Sequence, residues 1–107
     1  MPRIIPSSLL AGFVLCVLSV SALAADRVEK VKNIGNVNFR NYQCKEVNDK
    51  YVHELCYAKK GRSLIAKLGN KYNGFCGVPN SVYANWLKST HKKVYFQNLV
   101  EGKYACK

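Results

Sequence analysis

Acidic residues are scarce in this chain: six Asp and Glu stand against 17 Lys and Arg. Histidine is scarcer still, with two in 107 residues. No two cysteines form a C-x-x-C pair, which argues against a structural zinc site. No P-loop, dinucleotide fingerprint or Ser/His/Asp constellation is present, so nucleotide-dependent and triad chemistry have no foothold. Internal repeats and low-complexity tracts are absent, and no Asn-x-Ser/Thr sequon occurs despite abundant Asn. Beyond the first two dozen residues no long hydrophobic run exists, so nothing after them reads as a membrane span.

What is there begins with an export signal, residues 1–24. Arg3 supplies its positive start, Leu9 to Leu23 its apolar run, and Ala22-Leu23-Ala24 a small-x-small cleavage site before Ala25 or Asp26. Cys16 leaves with it. About 82 residues remain, enough for one domain with a marginal core. Cys44, Cys56, Cys76 and Cys106 are then expected to staple that domain in an oxidising compartment. Three pairings are open to four cysteines; the favoured one is Cys44 with Cys106, tying the start of the domain to its end, and Cys56 with Cys76. After loss of Arg3 the formal charge is about +10, a field that favours RNA, anionic membrane surfaces or acidic proteins.

Residues 25–36 are polar and charged and read as a flexible N-terminal arm, with the folded domain over 37–107. Val37 to Cys44 reads as a short strand with a change of face at its middle. Glu46 to Lys60 is the main helix candidate: Val47, Tyr51 and Leu55 recur every four residues beside Val52 and Cys56, and Gly61 supplies the stop. Ser63 to Leu68 reads as a strand and Gly69 to Pro79 as a turn-rich segment. Asn80 to Ser89 resumes helical spacing, with Val82 four residues before Trp86, which gives Trp86 a core role. Val94 to Val100 alternates and, with Lys103 to Cys106, reads as a closing hairpin. The expected fold is α+β: a small disulfide-stabilised domain with one main helix packed on an antiparallel sheet.

Tyr42-Gln43-Cys44 soon after the leader, with Cys106 at the far end, resembles the Y-x-C class of small secreted effectors of powdery mildew fungi. Many of these resemble guanyl-type ribonucleases that have lost their catalytic residues. The resemblance implies a ribonuclease-like fold closed by a disulfide between its ends, and action against a host plant cell, on it or after entry into it, by binding rather than cleavage. The segment from Cys44 to Cys106 is short for such a fold, and the helix signal around Val82 to Leu87 departs from it.

A metal-independent ribonuclease needs an acid and a base beside the phosphate and cations to hold its charge. The candidates are His53, Glu54, His91 and Arg62, with Glu46 and Arg40 nearby in sequence. His53 and Glu54 are neighbours and make a poor preformed pair, and His91 lies in a basic turn. No cofactor and no metal are expected. Binding candidates are Lys59, Lys60, Arg62, Lys92, Lys93 and Tyr95, with Tyr57, Tyr72 and Tyr83 interleaved among the lysines as stacking rings for unpaired bases. The leading expectation is a secreted, monomeric, non-catalytic protein that occupies a host protein with an acidic surface, or RNA. A secreted ribonuclease toxin is the alternative, and a cationic membrane-active protein a second, weakened by the lack of a long amphipathic basic helix.

Overall fold

The computed structural model describes residues 27–106; the leader, its cleavage site and Cys16 lie outside them. Six strands run Val28–Lys32 (β1), Gly35–Asn38 (β2), Gln43–Glu46 (β3), Val52–Ala58 (β4), Ser63–Leu68 (β5) and Lys71–Phe75 (β6). Helix α1 spans Asn80–Lys88, α2 spans Lys92–Tyr95, and a π-helical turn continues it over Phe96–Val100. The content is α+β with the sheet dominant. Its strand order is β2-β1-β6-β5-β4-β3, antiparallel throughout except that β1 runs parallel to β6.

The connection from β2 to β3 curls this sheet. These strands are its two edges, yet only Phe39 to Tyr42 join them, most of that length in a 3-10 turn. Five residue steps span at most about 17 Å. A flat six-stranded sheet measures about 24 Å from edge to edge. The edges therefore bend toward each other over one face. A small core of Val31, Phe39, Cys56 and Ile65 fills that face, flanked by Val37, Tyr42 and Tyr72. The opposite face carries the larger core: Val52, Leu55, Tyr57, Leu64, Ala66 and Phe75 meet Val78, Tyr83, Trp86, Phe96 and Val100. Trp86 is fully buried, stacked on Phe96 at 5.6 Å, and its indole donates to the Lys92 carbonyl at 3.1 Å.

Local chemistry sets the turns. Gly69 at φ +66° opens the two-residue turn between β5 and β6, a position that glycine fills without steric cost. Gly74 lies under the β1–β2 turn, where an added Cβ would stand 2.3 Å from Ile34 Cδ1. Lys59 to Arg62 form the β4–β5 turn, and the Arg62 carbonyl accepts from Val78 N at 2.9 Å, anchoring the entry to α1.

Several expectations are corrected here. Residues 46–60 are not the main helix; they hold the end of β3, a loop and β4. The ladder shifts between Val52 and Glu54, so Val52 and Leu55 share a face although three residues apart, and that irregular spacing imitates a helical stripe. The main helix comes late, at Asn80–Lys88, begins after Pro79 and has no side-chain cap bond. The arm expected over 25–36 is a β-hairpin from Val28 onward. The turn-rich segment contains β6. The closing hairpin is helical instead: Phe96 and Val100, four apart, are buried, while Val94 and Leu99 are exposed.

The cysteine pairing is also corrected. The disulfides are Cys44–Cys56 and Cys76–Cys106, not Cys44–Cys106 and Cys56–Cys76. Cys44 and Cys56 are register partners across the β3–β4 ladder, with Cα atoms 4.0 Å apart. Cys76 N donates to the Tyr104 carbonyl at 2.9 Å, which lays the C-terminal tail beside β6 and brings Cys106 to Cys76. In the chain-entropy picture the 12- and 30-residue separations give about 3 and about 4 kcal/mol.

Candidate functional site

β1 and β6 pair at only two positions, Val31 with Tyr72 and Lys32 with Asn73. Before that seam the start of β1 parts from the β5–β6 turn and leaves a cleft of about 570 Å³. Lys30, Lys32, Lys67 and Lys71 line it, with Glu29, Asn70 and Tyr72. Val31 and Tyr72 turn inward to the small core, so strand alternation sends Lys30, Lys32 and Lys71 the other way. Lys67 lines the cleft from the other side of the sheet, where it is the register partner of Tyr72 and lies over its ring at 5.4 Å. Four cations against one carboxylate give the cleft a net positive charge.

Behind it lies a charged cluster that is structural. Arg27 Nη2 donates to Glu54 Oε2 at 2.5 Å and Nη1 to the Tyr72 hydroxyl at 3.3 Å, and Tyr72 donates to Glu54 Oε1 at 3.0 Å. The guanidinium also lies over the Phe39 ring at 4.7 Å. Burial works against the Arg27 charge, but hydrogen bonding and attraction to Glu54 outweigh it and hold its pKa above the ordinary value. Burial, reinforced by the Glu54 hydrogen bond and charge, pushes the Tyr72 phenol up to about 12. Glu54 lies close to both sulfurs of Cys44 and Cys56, but these are bonded to each other and offer no thiolate to a metal.

The residues proposed for catalysis are dispersed. His53 is exposed at the irregular start of β4, His91 is exposed before α2, and Arg62 projects from the β4–β5 turn. Glu54 is held by Arg27 and Tyr72. Among the described residues, no hydrogen bond or ion pair joins these four to one another.

The binding candidates divide. Lys59, Lys60 and Arg62 are exposed on their turn. Lys93 is exposed and lies over the Tyr51 ring at 5.4 Å, beside a smaller cavity of about 260 Å³ that also takes in Asp49 and His91. Hydrogen bonds from Val52 N and Tyr51 N hold the Asp49 carboxyl below its ordinary pKa. Lys92 is not a surface contact: it is 7% exposed, and its ammonium donates to the Leu87 and Ser89 carbonyls, closing the end of α1. Tyr95 donates to the Val82 carbonyl and stacks on Trp86. Tyr57 stacks on Tyr83 at 4.7 Å and donates to the Val78 carbonyl.

Sequence reasoning missed Lys30 and Lys32 because they lie in the supposed arm. The alternation of Val28 and Val31 with charged neighbours is weak, but Lys30-Val31-Lys32 carries the in–out pattern of a strand.

The fold defined by this curled sheet and its late helices has a counterpart among solved structures. The chain is similar to the crystal structure of a KTSC domain protein from Yersinia pestis, with a TM-score of 0.58 and 21% identity over 62% of this chain and 94% of that one. The likeness is one of fold. No protein-family model matches the chain, and no curated protein matches it. The two disulfides fit an extracellular protein. Among the described residues no helix is long and apolar enough to cross a membrane.

Proposed function

We propose that the protein is a secreted, non-catalytic, effector-like binding protein that acts as a monomer and uses its cationic cleft to occupy an acidic protein of a host. The observation that carries this reading is that Lys30, Lys32, Lys67 and Lys71 line one cleft with a single carboxylate, Glu29, among them. Each exposed ion pair contributes only about 0.2–1 kcal/mol, so occupancy rests on several pairs acting together and weakens with salt. An acidic protein is favoured over RNA because Tyr57, Tyr72, Tyr83 and Tyr95, the rings expected from the sequence to stack on bases, are engaged in internal contacts. The Y-x-C resemblance supports the effector role and entry into a host cell, and carries a ribonuclease-like origin of the scaffold as its finer expectation.

The test is titration of the oxidised protein with poly-L-glutamate and with a single-stranded RNA oligomer of equal charge, in chelator. Salt-sensitive binding that favours the polypeptide, with the RNA left intact, is expected. Preferred binding of RNA, or RNA cleavage lost on His53→Ala or His91→Ala, would overturn the reading.

A further inference from the structure

Among the described residues, every carboxylate on a strand faces one side of the sheet. Glu29 shares the small-core side with Val31, two residues along β1. Glu54 stands opposite Lys67, which stands opposite Tyr72 of the same core, and Glu46 stands opposite Glu54. The other side, at the seam of β1 and β6, carries Lys30, Lys32 and Lys71, all exposed, with neutral Asn36 and Asn73 beside them. The register carried one step back from Val31 and Tyr72 sets Lys30 across from Lys71, where the strands have parted and the cleft opens between them. Lys32 follows Lys30 by about 6.6 Å along β1. The flexible stem of each lysine lets its ammonium turn toward that opening. A single carboxylate brings one charge and two oxygens to such a point. A phosphate monoester brings about −1.5 to −2 and three acceptor oxygens, one for each ammonium. The phosphodiesters of RNA bring one charge each, spread along the strand.

Resting on the proposed acidic-protein reading, we infer that Lys30, Lys32 and Lys71 receive a phosphorylated Ser, Thr or Tyr side chain of the acidic partner. Lys30 and Lys71 hold the phosphate from the two sides of the opening, and Lys32 meets it from the seam. Lys67 lies on the opposite side of the sheet with Glu54 beside it, and contributes only its field. The protein then tells the phosphorylated form of its partner from the unmodified one.

Two acidic peptides of equal net charge test this, one with a single phosphoserine and one with two adjacent glutamates in its place. The phosphopeptide is expected to bind at least about fivefold more tightly. Lys30→Gln, Lys32→Gln and Lys71→Gln are each expected to reduce that preference, whereas Lys67→Gln weakens the two peptides alike and keeps their ratio. Circular dichroism of each variant checks that the sheet is kept. Equal affinities for the two peptides, with poly-L-glutamate still bound, would overturn the inference and leave the acidic-protein reading standing. So would a preference that Lys67→Gln removes as fully as Lys30→Gln does. Tighter binding to phosphatidylcholine vesicles carrying a phosphatidylinositol monophosphate than to the phosphopeptide would assign the site to a lipid headgroup and overturn it as well. Failure of both peptides and of poly-L-glutamate to bind would overturn both the inference and the reading beneath it.

Discussion

Arg27, immediately before β1, holds Glu54 of β4 at 2.5 Å although β6 and β5 lie between their strands. A flat sheet would separate those strands by about 14 Å. The pair therefore records the curl of the sheet and closes it over the small core, with Phe39 and Tyr72 packed edge to face at 5.3 Å beneath it. The same curl brings β1 alongside β6, which creates the seam where the lysine cleft opens.

Tyr72 makes this closure sensitive to alkali. Its phenol titrates at about 12 in the fold and near 10 in an unfolded chain. The folded state thus holds the proton more tightly; the stability it contributes is complete below about pH 10 and is lost as pH rises through about 12. Denaturant titrations across that window are expected to show falling stability, with a shallower decline in Tyr72→Phe. Some decline remains, because burial also raises Tyr83 and Tyr95.

Lys92 serves the fold rather than a partner. Replacing it with Met keeps the stem and removes the ammonium from the Leu87 and Ser89 carbonyls. A loss of about 1–3 kcal/mol is expected, the size of a charge-assisted hydrogen bond. Lys93→Met, at an exposed neighbour, is expected to change stability by less than about 0.5 kcal/mol. Thermal melts of the two variants measure the contrast.

The crosslinks are open to direct mapping. Digestion without reductant is expected to yield peptides joining Cys44 to Cys56 and Cys76 to Cys106, and none joining the two pairs. Removing the second bond through Cys76→Ser and Cys106→Ser frees the tail after Val100 and is expected to cost more than removing the first, because the loop it closes is longer.

Simple periods were legible in the sequence. The strand over Ser63–Leu68 appears where a short apolar run closely bounded by Gly61 and Gly69 pointed to it, and the helix over Asn80–Lys88 where four-residue spacing did. Trp86 lies in the core its spacing implied. Irregularity hid the rest. The ladder shift beside His53 gave β4 a helix-like stripe, and that misreading concealed the opposition of Cys44 and Cys56. Exposed Val94 and Leu99 made a short helical segment look like an alternating strand. The cleft depends on the parallel seam between β1 and β6, a contact between residues some forty positions apart, and no local pattern announces it.

Comparison of two charge reversals with the same change in net charge tests the cleft most directly. Lys30→Glu with Lys71→Glu alters the cleft; Lys59→Glu with Lys60→Glu alters the β4–β5 turn at a separate exposed site. Titration with poly-L-glutamate at physiological salt, where charges beyond about 8 Å are largely screened, is expected to show at least about tenfold weaker binding for the cleft pair and little change for the turn pair. Equal losses in the two would mean that net charge alone governs binding, and would contradict a defined site between β1 and β6.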